Sequence, residues 1–231
     1  MFGLAPHPPL PRPSRGSPRM FKSDWVEKYF SRVKPWQVVV LWVPVALASL
    51  WLTLRKPGAA VGATLALFLL GMFVWTLLEY GLHRFVFHFK PDPQSEFQVD
   101  AMWLIHGVHH DYPSDPDRLV MPPFATFVVA ALLWTPILWV FGPVYNSAFF
   151  GGLVLGYVGY DLTHYWLHHA VPTSALGKWM RKYHMVHHFS TPELRYGISS
   201  PLWDVVFRTY PNDRWAGLTD QKAAELEAGH G

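Results

Sequence analysis

Three long runs without a charged side chain dominate the hydropathy pattern: 20 residues between Lys34 and Arg55, 22 between Lys56 and Glu79, and 42 from Leu119 to Tyr160. A helix needs about 20 apolar residues to cross the hydrocarbon of a bilayer, so the first two runs predict one crossing each. The third is long enough for two, and Gly142-Pro143 near its middle is a turn signal that divides it. The pattern predicts an all-α integral membrane protein with four transmembrane helices in two hairpins. One hairpin turns at Arg55-Lys56-Pro57-Gly58 and the other at Phe141-Gly142-Pro143.

Outside the runs the pattern changes. Residues 1–20 contain six prolines and no apolar run, which predicts a disordered tail without the core of a secretory signal. Phe21, Trp25, Val26, Tyr29, Phe30 and Val33 then recur at helical spacing with charges between them, the pattern of an amphipathic helix lying on the membrane or on the protein itself. Residues 21–214 form one membrane-embedded domain, and 215–231 read as a polar tail. The aromatic segment Tyr196–Tyr210, short of helical length, is expected to cap whatever lies beside it.

Composition supports the membrane reading, because only 15% of residues are charged against about 25% in soluble domains. The chain has no cysteine, which excludes disulfides, thiolate zinc sites and iron–sulfur clusters. A net charge of +3 could indicate nucleic acid, but all of the 19 lysines and arginines except Arg55 and Lys56 fall on one side of the four-span arrangement. The positive-inside rule makes that side cytoplasmic, with both termini on it. The membrane is a bacterial inner membrane or the endoplasmic reticulum, according to the organism, and no nucleic-acid partner is expected.

Four histidine clusters lie on that same side: His83-x4-His88, His106-x-x-His109-His110, His164-x3-His168-His169 and His184-x-x-His187-His188. They hold 11 of the 13 histidines, leaving only His7 and His230 in the tails. Residues three and four apart share a helix face, so in each His-x-x-His-His cluster all three imidazoles are expected to point one way. His169, five beyond His164, falls roughly 140° round at about 100° per residue and is the doubtful member. His83 and His88 are also five apart and reach one site only if the helix ends or unwinds between them. One ion takes about four to six ligands, so some ten inward-facing imidazoles suit two metals. Glu79, four before His83, and Asp161, three before His164 and next to Tyr160, stand where outer-shell hydrogen-bond partners of ligating imidazoles are expected.

The run Glu79-Tyr80-x-x-His83-Arg84-x3-His88, the segment His106-Gly-x-His109-His110-x-Tyr-Pro113 with Asp115 and Arg118, Tyr160-Asp161-Leu-Thr-His164-Tyr, and His184-x-x-His187-His188 resemble the fatty acid hydroxylase (sterol desaturase-like) superfamily. The pattern is most similar to the sphingolipid fatty acid 2-hydroxylases and covers roughly residues 70–212. The resemblance implies a non-haem dimetal centre that uses O2 to hydroxylate C2 of a long acyl chain. By position it implies the ligands His83, His88, His106, His109, His110, His164, His168, His184, His187 and His188, with Glu79, Tyr160 and Asp161 behind them. Eukaryotic members often carry a fused cytochrome b5 domain, whose haem-binding His-Pro-Gly-Gly is not found here.

Attack on an unactivated C–H bond needs a redox-active metal, so two iron ions are the expected cofactors, which zinc can displace on isolation. Electrons must come from a separate protein, because no cysteine cluster or dinucleotide fingerprint supplies them. Sterol desaturases and carotenoid hydroxylases share such clusters and remain alternatives. A metal transporter or metal-storing protein is the remote one, since transporters place ionisable ligands at mid-membrane and these runs carry none.

Overall fold

The computed structural model describes residues 3–5 and 16–211. His7, His230 and the 215–231 tail lie outside the described residues. Among the described residues the α-helices are α1 (Asp24–Phe30), α2 (Pro35–Leu54), α3 (Val61–Gly81), α4 (Glu96–Met102), α5 (Val108–Asp111), α6 (Pro123–His169), α7 (Ala175–Phe189) and α8 (Leu202–Val206). Two π-helical turns interrupt them, Leu82–Phe87 after α3 and Trp103–Gly107 between α4 and α5.

Among the described residues, three helices are long and apolar enough to cross a membrane: Pro35–Leu54, Val61–Phe87 and Pro123–His169. The third, 47 residues long, is broken at Gly142, whose φ of 66° and ψ of 178° are not helical. Glycine adopts that conformation without the Cβ clash that other residues meet. The two arms of α6 fold back on each other. Trp134 meets Phe150 edge-on at 5.1 Å and Phe141 stacks on Phe149 at 4.2 Å. At the other end the Met121 N–H donates to Asp161 Oδ2 at 3.2 Å. The turn signal read at Gly142-Pro143 is therefore a real reversal.

Small residues let α3 and α6 approach closely. A Cβ added at Gly152 would fall on the Phe68 carbonyl oxygen, and one at Gly71 on that of Phe149, the backbone proximity that glycine permits between membrane helices. At the opposite end Lys56 Nζ donates to the Pro143 carbonyl at 2.7 Å and to Ser147 Oγ at 3.2 Å, joining the two hairpin turns. Facing outward are Val40, Leu47, Leu69, Leu132 and Trp139, all apolar and more than half exposed. An apolar surface on helices of spanning length faces lipid, so this is an integral membrane protein.

The expected disordered tail is corrected for the described residues 3–5 and 16–20. Leu4 bridges Phe21, and Leu4 and Met20 are buried against Trp103 and Val108. Two apolar anchors removed from water outweigh the proline-rich composition here. Buried Glu27 of α1 accepts from the Met20 and Phe21 N–H groups at 3.0 and 3.1 Å and pairs with Arg118, which also pairs with Asp115 at 2.6 Å. These contacts hold the Glu27 carboxyl below its ordinary pKa despite the burial that opposes them. The outer face of α1 keeps Trp25 and Tyr29 exposed, so the helix docks through Glu27 and turns its aromatics away from the protein.

Candidate metal centre

Each histidine cluster is shaped by its backbone. After α3 the chain winds into a π-helix, and the His88 N–H bonds the His83 carbonyl at 3.1 Å. This i→i+5 bond sets residue 88 over residue 83, bringing the rings to 4.9 Å. The required unwinding between them is thus a π-turn. A second π-turn carries His106 into α5, which bears His109 and His110. His164 and His168 occupy the last turns of α6, and α7 carries His184, His187 and His188.

The ten imidazoles converge as two groups of five: His83, His88, His106, His110 and His187, and His109, His164, His168, His184 and His188. The expectation that each His-x-x-His-His motif points one way is corrected. His106 and His110 serve the first group while His109 serves the second; His184 and His188 serve the second while His187 serves the first. Residues i and i+4 stay together, and the i+3 residue, on the far side of that pair, turns to the neighbouring group. The motifs interlock, with His110 stacked on His188 across the boundary at 4.2 Å.

The distances test whether a metal fits. Within the first group Nε2 of His106 lies 3.2 Å from both His83 and His110 Nε2, and His187 lies 3.0 Å from His88. In the second, His184 Nε2 lies 2.8 Å from His168 and 3.1 Å from His188. For a metal–nitrogen bond of about 2.1 Å, ligands at right angles stand about 3.0 Å apart and tetrahedral ones about 3.4 Å. The spacings are those of nitrogens that share one ion, and each group of five would hold one. One N–H cannot serve both neighbours of His106 or of His184, so hydrogen bonding alone does not satisfy these nitrogens. Burial lowers the pKa of His106, His109, His110, His184, His187 and His188 well below the ordinary value, and that of His88 to about 4. Neutral imidazoles keep the lone pairs a metal requires.

The carboxylates expected behind the ligands have other partners. Glu79 accepts from the Ile198 and Ser199 N–H groups at 2.7 and 2.8 Å and from Ser199 Oγ at 2.5 Å, so it holds a loop and not an imidazole. Asp161 takes the Met121 N–H, while both ring nitrogens of buried His164 have no hydrogen-bond partner. Tyr160 stacks on His164 at 5.9 Å. His169 belongs to neither group and lies exposed against Tyr165.

Backbone carbonyls do what the carboxylates were expected to do. His83 Nδ1–H donates to the Tyr196 carbonyl at 2.6 Å and His187 Nδ1–H to the Leu194 carbonyl at 2.7 Å. These acceptors carry no side-chain signature. The only hint in the sequence is the aromatic segment after the last cluster, which does close over the site.

The chain belongs to the fatty acid hydroxylase family, whose model matches residues 68–209. It is 41% identical over 206 residues to a dihydroceramide fatty acyl 2-hydroxylase of Arabidopsis thaliana, covering 88% of this chain and 84% of that one. It is 36% identical to the fatty acid 2-hydroxylase of Rattus norvegicus, covering 88% of this chain and 58% of the relative. Among solved structures it is similar to full-length scs7p, of which only the hydroxylase domain is visible, with a TM-score of 0.78 and 35% identity over 85% of this chain and 73% of that one.

Proposed function

We propose that this chain is a fatty acid 2-hydroxylase that uses O2 to convert the C2–H bond of a long acyl chain in a membrane lipid to C–OH. The ten histidines hold two iron ions, one per group of five. Iron supplies the redox chemistry that breaks an unactivated C–H bond, which zinc cannot. The second oxygen atom leaves as water, so each turnover consumes two protons from solvent and two electrons, which a separate electron-transfer protein delivers on the cytoplasmic face. The chain crosses the membrane four times, α6 contributing two crossings, with both termini cytoplasmic.

The observation that carries this reading is the pairing of two five-imidazole groups with relatives named for hydroxylation at C2. The chain's own residues do the positioning. The Leu194 and Tyr196 carbonyls fix the rings of His187 and His83 and leave each Nε2 as donor to metal. An apolar cavity lined by Trp42, Trp75, Met121, Leu133, Phe150 and Tyr157 lies between α2, α3 and both arms of α6.

Lipid mass spectrometry tests the assignment. Cells expressing the chain are expected to gain, after hydrolysis to free fatty acids, a product one oxygen heavier with the hydroxyl at C2. Unchanged acyl chains together with altered sterols or carotenoids would contradict it.

A further inference from the structure

The two histidine groups are built differently behind the ligating nitrogens. In the first, His83 and His187 each donate Nδ1–H to a backbone carbonyl, at 2.6 and 2.7 Å. In the second, His184 Nδ1, His188 Nδ1 and the outer nitrogen of His164 are buried without a hydrogen-bond partner. A hydrogen bond at the outer nitrogen fixes the tautomer and ring orientation and raises the basicity of the ligating nitrogen, and such partners are worth about 10–100-fold in metal affinity. An outer N–H left buried and unpaired works the other way.

Both acceptor carbonyls come from one short loop, residues 194–199, which two buried carboxylates clamp. Asp204, fully buried, accepts from the Tyr196 N–H through Oδ1 and from the Gly197 N–H through Oδ2, each at 2.8 Å, and Thr209 Oγ1 donates to its Oδ1 at 2.7 Å. Glu79 holds the next two amides, of Ile198 and Ser199. A Cβ at Gly197 would fall on the Ser200 carbonyl oxygen, so the loop fits closely. Four consecutive N–H groups thus point at carboxylates, while the carbonyls of Leu194 and Tyr196 receive the imidazoles.

We infer that the two metal positions are inequivalent, the one formed by His83, His88, His106, His110 and His187 binding more tightly, with Asp204 and Glu79 acting as positioning residues through the 194–199 loop. This rests on the two-ion reading given above. It deepens that reading by giving one carboxylate expected near the ligands a role at one remove, and by adding Asp204.

The test uses the full chain loaded with metal and titrated with a chelator, counting ions retained. The wild type is expected to lose its ions in two steps separated by about 100-fold or more in free metal, since two outer partners each contribute about 10-fold at least. His168→Ala is expected to remove the weak step and leave the tight one; His88→Ala is expected to leave only a weakly held ion. Asp204→Asn is expected to weaken the tight step by about 10-fold or more and leave the weak step in place. A merely structural loss would move both steps together and lower the unfolding temperature of the metal-free chain. One shared step in the wild type, or a His168→Ala ion held no tighter than the His88→Ala ion, would overturn the inference. Fewer than two ions in the fully loaded wild type would instead defeat the two-ion reading itself.

Discussion

Replacing His187 by alanine is expected to lower hydroxylation by more than about 100-fold, beyond the range set for outer-shell partners, and to remove metal from the first group. His187 is fully buried, and its ring lies against three of the four other members of its group: centroids lie 4.7 Å from His83, 4.8 Å from His88 and 5.2 Å from His110. Its Nδ1 is committed to the Leu194 carbonyl, so Nε2 is the only nitrogen it can offer. Alanine leaves a vacant ligand position and an unpaired buried carbonyl together. His169→Ala is the matched control, because that imidazole lies exposed against Tyr165 and outside both groups. It is expected to retain both ions and most of the activity. Product yield and metal per chain, measured on both variants, decide between them, and comparable losses would show that His169 is a ligand after all.

Stripping the metals is expected to be the larger structural perturbation. Without an ion, the converging nitrogens of each group face one another at 2.8–3.2 Å with too few N–H groups to bridge them. The groups also tie together elements that otherwise share few contacts: the π-turn after α3, α5, the end of α6, and α7. A ligand that binds only the folded state at a thousandfold excess over its Kd stabilises by about 4 kcal/mol. Loss of two such ions lowers the unfolding temperature by more than about 15 °C, at about 2–4 °C per kcal/mol. Thermal unfolding in detergent, before and after chelation and again after iron or zinc is restored, measures this. Recovery with either metal is expected for stability, and with iron alone for hydroxylation. An unfolding temperature indifferent to chelation would show that the cap holds its shape without metal.

What the sequence made legible, and what it did not, follows from the range of the interactions involved. The uncharged runs and the Gly142-Pro143 reversal are local signals, and the structure bears them out as apolar helices with a break at Gly142. The gathering of ten histidines was legible from their spacing and from their place outside the uncharged runs. Their division into two groups was not, because a helical-face argument gives directions on one helix and cannot say that His109 faces α6 and α7 while His106 and His110 face the first π-turn. The π-turn at His83–His88 was visible only as a mismatch of spacing. The roles of Glu79 and Asp161 were misread because each lies one turn from a histidine in sequence, yet binds main-chain N–H groups brought from 119 and 40 residues away. Leu4 and Met20 were hidden by the prolines around them, although their burial against Trp103 and Val108 fixes the N-terminal arm to the helix that carries the second cluster.

The central claim is that oxygen from O2 enters the acyl chain at C2. Purified, iron-loaded protein supplied with a reductant, an electron donor and a membrane lipid under 18O2 tests it in one measurement. The account predicts a 2-hydroxy acyl product carrying one 18O atom, absent when O2 is withheld. A hydroxyl whose oxygen comes from water, or one placed away from C2, would contradict it.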